Sequence, residues 1–463
     1  MTDADLTAPA AGVSGPVKVE TRSGVLVGAR EGGLVRFLGV PYARPPVGEL
    51  RWRAPQPLSW TGERAATAFG PPGLQRTPSD GRPNGAGVSG ASSEDCLYLN
   101  VWAPAEARGA PVMVWIYGGG GTMGSGSVPS YDGSAFARDG VILVTINYRL
   151  GALGGFAHPA LTRATPAGEG LANYHLLDAM AALRWVKDNA AAFGGDPGNV
   201  TVFGESAGAT ITANLLTSPM ARGLFDKAIV QSTGSLPTPG TPLAAAEAFG
   251  ARLASALGLP GAEATVEQLR ALPGEAVIGV ERLGAGLRTV IDGRVKTQSI
   301  MDAFAAGEAI DVPMIIGTNS DEGRLSGTQR VATYAMSGAP VWQYFFDYVP
   351  DWRRAEQPNG AAHAAEIPYV FDTLRRDRRI GGRATDKDQS VADYIHACWV
   401  AFAKLPAGAR AIEGPGGFVW PARTEANDRT VAIFQERPSL GKAQDLRSPP
   451  NGAPPGPTSR DEE

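Results

Sequence analysis

Gly204-Glu205-Ser206-Ala207-Gly208 is the stretch with the clearest capacity for chemistry. Val200 to Phe203 is β-branched and aromatic and reads as a short buried strand, and from Ala207 through Leu216 the pattern turns helical. A G-x-S-x-G turn between strand and helix exposes its serine at the carboxyl edge of a sheet, while the new helix aims free N–H groups at whatever the serine attacks. The flanking glycines leave room where a Cβ would strike the neighbouring strand or helix. With Gly at 60 of 463 positions, about 0.4 such pentapeptides arise by chance, so the rest of the chain must supply the remaining parts.

A serine hydroxyl needs a base to take its proton, and the base needs an acid to hold its tautomer. On a sheet of this type the partners follow in the order serine, acid, histidine. Of four histidines, two lie beyond Ser206. His396 sits in an apolar helical run and reads as a core residue, whereas His363 sits in a small-residue loop after Pro358 and is the favoured base. Asp321 and Glu322 both follow the strand-like Val312 to Ile316, and spacing alone leaves the acid open between them. Backbone donors for a tetrahedral oxyanion are expected from Ala207 and from the glycine run Gly118 to Gly121, which follows another strand. Gly119 to Gly124 also fits G-x-G-x-x-G, but Ser125-Gly126-Ser127-Val128-Pro129 cannot open the helix a dinucleotide site requires. No Walker-type run occurs, and four scattered histidines argue against a zinc centre, so neither cofactor nor metal is expected.

The elements that would carry these residues can be read in outline. Alternation at Val17 to Glu20, Gly24 to Gly28 and Leu34 to Leu38 predicts an antiparallel meander. Leu97 to Trp102, Val112 to Tyr117, Val141 to Asn147, Lys227 to Ser232 and Val312 to Ile316 read as strands. Leu176 to Ala192, Ala-rich stretches between 243 and 272, and Ser390 to Lys404 read as helices. Such alternation predicts an α/β fold with a largely parallel central sheet. Residues 1–16 are expected to form a loose arm, 17–446 a single domain, and the Pro-rich 447–463 a disordered tail.

An apolar content of 43% suits a sizeable core, and a net charge of −4 without a basic cluster argues against a nucleic-acid partner. Uninterrupted apolar runs are strand-sized, so no membrane span is expected, and the N-terminal residues show no secretory pattern, which predicts a cytoplasmic protein. Cys96 and Cys398 have no metal-binding spacing and are expected to be buried thiols.

Longer stretches resemble the type-B carboxylesterase family, which includes cholinesterases and bacterial p-nitrobenzyl esterases. Phe193 to Gly208 is similar to its serine signature and Glu94 to Val101 to its second signature. Gly39 to Gly48, Trp115 to Gly120, Asn147 to Gly151 and Ala182 to Val186 are also similar, and the likeness runs from about residue 17 to about residue 440. The resemblance implies an α/β-hydrolase fold and hydrolysis of small carboxylic esters through an acyl-enzyme, without a cofactor. It implies Ser206 as nucleophile, Glu322 rather than Asp321 as acid, His363 as base, and Gly119, Gly120 and Ala207 as oxyanion donors. Gly121 stands where the family usually has an aromatic residue, which implies an opened pocket wall. Gly73 stands where many members have a cysteine, which implies a free Cys96. Glu322 and His363 are only 41 positions apart, shorter than is usual in the family. A pared-down cap between Arg324 and Val341 is therefore expected, or a deletion that misplaces the acid. The alternative function is that of a weak or non-catalytic binding member of the same superfamily.

Overall fold

The computed structural model describes residues 14–234, 236, 238–280 and 289–446. The expected tail at 447–463 and most of the expected arm at 1–16 lie outside the described residues.

The meander forms as the alternation predicts: β1 (Gly15–Thr21), β2 (Gly24–Glu31) and β3 (Leu34–Pro41) pair antiparallel in chain order. Gly15 and Pro16, assigned to the arm, already belong to β1. The short β4 (Glu63–Ala65) pairs beside β2, and β5 (Tyr98–Pro104) links the meander to the centre of the sheet.

The interior strands are β6 (Ala110–Ile116), β7 (Ile142–Ile146), β8 (Gly195–Glu205) and β9 (Lys227–Gln231). After the two-residue pair β10 (Thr241–Pro242) and β11 (Val290–Ile291) come β12 (Met314–Asn319) and β13 (Val341–Phe346). A second small pair, β14 (Ala411–Glu413) and β15 (Val419–Pro421), precedes β16 (Thr430–Phe434) and β17 (Ser439–Lys442). The large sheet runs β1-β2-β3-β5-β7-β6-β8-β9-β12-β13-β16-β17 and is parallel from β7 to β16, with antiparallel strands at both edges. β6, β7, β9, β12 and β13 are buried along their whole lengths, as continuous apolar runs such as Val112–Ile116 require when helices cover both faces. This architecture is that of an α/β-hydrolase.

Several stretches singled out in the sequence hold this frame together. Arg149 and Asp178, almost wholly buried, form a forked ion pair (Nη2–Oδ1 2.6 Å, Nε–Oδ2 2.9 Å) that ties the loop after β7 to the helix Tyr174–Asn189. Arg51 grips Glu94 in the same forked way, at 2.5 and 2.7 Å. Cys96 and Cys398 are both buried and free, and burial pushes the Cys398 thiol up to about 12. Among the described residues no helix is long and apolar enough to cross a membrane.

The stretch from Arg324 to Val341 is not bare. It keeps the amphipathic helix Leu325–Ala335, which buries Leu325, Thr328, Val331 and Ala332 on one face. The strands β13, β16 and β17 are further elements that the sequence pattern does not predict.

Candidate functional site

The loops at the carboxyl ends of β6, β8, β12 and β13 converge at one edge of the sheet. β8 ends at Glu205, and Ser206 follows with φ +57° and ψ −118°, a backbone region that L residues seldom occupy. The glycines around it are sterically required: a Cβ on Gly208 would lie 1.9 Å from the Ile116 carbonyl oxygen, and one on Gly204 would lie 2.6 Å from the Gly208 carbonyl carbon. The helix Ala207–Leu216 starts directly behind the serine, so its first-turn N–H groups lack intrahelical partners.

His363 lies in the loop after β13. Its Nε2 is 2.8 Å from Ser206 Oγ and its Nδ1 is 2.9 Å from Glu322 Oε1. Glu322 follows β12 and is further held by Thr318, whose hydroxyl donates to Oε2 at 2.8 Å. Arg324 stands 3.6 Å from the same oxygen. The short segment between acid and histidine therefore does not pull the two apart. It is Glu322 and not Asp321 that meets His363; the Asp321 backbone N–H donates to the Ala361 carbonyl at 3.0 Å. Two more bonds join the acid loop to the histidine loop: Ala361 N–H to Ser320 Oγ at 2.8 Å, and the Asn319 amide to the Ala362 carbonyl at 2.8 Å. His396 is a core residue, as its helical setting predicts; its ring nitrogens meet the Val370 carbonyl at 2.7 Å and Asp139 at 3.0 Å.

Gly119 and Gly120 adopt φ of +106° and +64° and line the cleft above Ser206. A Cβ on Gly119 would lie 2.2 Å from the Met123 carbonyl oxygen, so this tight turn admits no side chain there. Gly121 is buried and its carbonyl accepts from the Gly151 N–H at 2.7 Å; the side chain this loop contributes to the cleft wall is that of Met123.

The cleft has a volume of about 670 Å³ and is lined by Gly118 to Gly120, Glu205, Ser206 and His363, with Tyr131, Ile367 and other side chains further out. A wider hollow of about 940 Å³, around Arg354, Lys387 and Glu436, contains none of the reactive groups.

Three buried carboxylates gather beneath the site: Glu205, Glu322 and Glu366. Burial pushes Glu205 up to about 8; His363 opposes this, while Glu366 and Glu322 reinforce it. Its Oε1 lies 3.2 Å from His363 Nε2 and has no hydrogen-bond partner among the described residues. Burial disfavours the His363 imidazolium, but the hydrogen bond to Glu322 and the charges of Glu205 and Glu322 outweigh it and raise the histidine to about 9. Glu366 is raised by burial despite accepting from Asn319 at 2.7 Å and Gln231 at 3.1 Å.

Two features of the site are not evident from the sequence pattern. Glu205 is only the variable second letter of the serine motif. The second is a correction: Leu374-Arg375-Arg376-Asp377-Arg378-Arg379 is a basic cluster, and Arg376, Arg378 and Arg379 line the cleft with Arg82. Four arginines in five positions were the available signal.

A sequence model described as the carboxylesterase family matches residues 15–336 and 325–445. The two matches meet within the helix Leu325–Ala335, between the acid and the histidine. The chain is 37% identical to a fumonisin B1 esterase of Sphingopyxis macrogoltabida, over 83% of this chain and 81% of that protein. It is 35% identical to a para-nitrobenzyl esterase of Bacillus subtilis, over 90% of this chain and 95% of that protein. A solved PNB esterase superposes with a TM-score of 0.79 at 32% identity, covering 92% of this chain and 97% of that one.

Proposed function

The chain belongs to the carboxylesterase family and is a carboxylic ester hydrolase; on that premise we propose that Ser206, His363 and Glu322 carry the reaction through an acyl-enzyme. With the imidazole proton on Nδ1, that N–H donates to Glu322 and Nε2 accepts the Ser206 O–H. Ser206 Oγ adds to the ester carbonyl carbon as Nε2 takes its proton, and Glu322 stabilises the imidazolium. The N–H groups of Gly119, Gly120 and Ala207 receive the oxyanion. Collapse of this intermediate breaks the ester C–O bond; the departing alcohol takes the proton from Nε2 and the acyl group stays on Ser206. Water repeats the sequence, releasing the acid and the free serine.

The observation that carries this reading is the unbroken contact from Ser206 Oγ through both nitrogens of His363 to Glu322, at 2.8 and 2.9 Å, opening into the cleft. The glycine turn after β6, which lines the same cleft, and the helix that starts after Ser206 support this reading as sources of free N–H groups. The test is hydrolysis of p-nitrophenyl acetate, butyrate and octanoate by the wild type and by Ser206→Ala. Loss of the nucleophile is expected to reduce turnover about 10⁶-fold. A folded wild type inert on all three esters would overturn the reading and bring forward a binding role for the cleft.

A further inference from the structure

The lining of the cleft carries more arginine charge than the carboxylates paired with it neutralise. Arg82 pairs with Asp80, Arg376 with Asp132 and Arg379 with Asp377. Arg378, which lines the same cleft and is exposed, has no carboxylate partner among the described residues. The acidic side chains that line the cleft are Asp377, already paired, and Glu205, which lies against His363 at 3.2 Å rather than against an arginine. The four arginines of the lining therefore have one guanidinium in surplus over their three carboxylate partners. The surplus is local, because the chain as a whole is negative at −4. Even the paired arginines keep donors to spare: each guanidinium has five N–H groups, and one carboxylate engages two of them.

We propose that this esterase selects esters bearing a single carboxylate remote from the reacting carbonyl, with Arg378 taking the carboxylate and Arg376 and Arg82 flanking it. The proposal rests on the reading of Ser206, which lines the same cleft, as the nucleophile. About 670 Å³ accommodates an ester together with a short acid-bearing arm. One surplus cation matches a monoanion better than a phosphate dianion, which would leave a negative charge unbalanced. Uncompensated positive charge in a cleft also concentrates such substrates at low ionic strength.

Two substrates of equal length separate the contributions: monoethyl adipate and ethyl hexanoate, which differ only in a terminal carboxylate in place of a methyl group. Hydrolysis is followed by alkali uptake in a pH-stat at neutral pH, with wild type and Arg378→Gln. The wild type is expected to favour the adipate in kcat/KM, mainly through KM, and to lose that preference in high salt. In Arg378→Gln the adipate-to-hexanoate ratio of kcat/KM is expected to fall about fivefold, the scale of one exposed charge pair. A wild type that hydrolyses the hexanoate as well as the adipate overturns this proposal and leaves the esterase reading intact. A preference that survives Arg378→Gln overturns the assignment to this arginine. Inactivity on both esters counts against the esterase reading itself.

Discussion

Glu205→Gln removes a buried carboxyl group whose oxygen lies 3.2 Å from the nitrogen proposed to take the serine proton. At that distance a carboxylate and an imidazolium attract by about 1.3 kcal/mol in bulk water and about 5 kcal/mol at an effective dielectric of ~20. The His363 side chain is 41% exposed, so the lower figure is the better guide, and it corresponds to about one pH unit. In the wild type His363 is held near 9, so activity rises with pH as the imidazolium loses its proton. Without the carboxylate the neutral imidazole is favoured, and the acid limb of kcat/KM moves down by about one unit. The assay is the initial rate on p-nitrophenyl butyrate below KM across roughly pH 6 to 10, corrected for uncatalysed hydrolysis. An acid limb that stays in place, or moves up, refutes the electrostatic coupling. Lost activity at every pH with an unmoved limb would make Glu205 a packing residue beneath Gly118, whose added Cβ would lie 2.7 Å from Glu205 Oε2.

Asp178→Asn strands the buried Arg149 charge and is expected to cost about 3–5 kcal/mol, read from the urea midpoint of unfolding. Gly208→Ala forces a methyl group within 1.9 Å of the Ile116 carbonyl oxygen, so the serine turn must shift. Destabilisation of at least about 1–3 kcal/mol is expected, with activity lost even in protein that remains folded; unchanged activity would contradict the backbone geometry. Cys96 and Cys398 should react with a thiol reagent such as 5,5′-dithiobis(2-nitrobenzoic acid) only after denaturation, both being buried and free. Rapid labelling of the native protein would contradict that burial.

The parts of the site legible in the sequence are those set by backbone geometry. Gly204 and Gly208 are glycines because carbonyl groups crowd the places where their Cβ atoms would be, and such positions mark a turn by residue type alone. Val112 to Ile116 and Val200 to Phe203 read as strands because parallel strands covered on both faces are continuously apolar. Residue types and local context put His363 ahead of His396, and the two rings do meet quite different partners. Choosing Glu322 over Asp321 needs the family resemblance, because adjacent carboxylates in one loop look alike until the loop is folded. What the sequence conceals depends on packing between distant segments. β13 reads Val341-Trp342-Gln343-Tyr344-Phe345-Phe346, and its polar Gln343 is satisfied by the distant Thr328 and Arg423. The proximity of Glu205 to His363, and the approach of the arginine run to the cleft, arise only when loops far apart in the chain come together.

The order of strands in the sheet also sets a timetable. From β6 onward, β8, β9, β12, β13 and β16 lie side by side in the order in which they are synthesised, with β7 on the other flank. Each strand can dock on one already made, so the chain can assemble as it leaves the ribosome. The serine turn stands on β6, β8 and β9, but His363 follows Ser206 by 157 residues. At roughly 5–20 residues per second that is a delay of about 8 to 30 s. During this interval the nascent chain carries the proposed nucleophile without its proposed base, and on that reading it cannot turn over the esters around it. Within that interval β9, buried along its whole length in the finished fold, stands as an open edge until β12 is made. Birth in this order thus exchanges early activity for a brief exposure to aggregation, and a pause in translation before Asn319 would lengthen it.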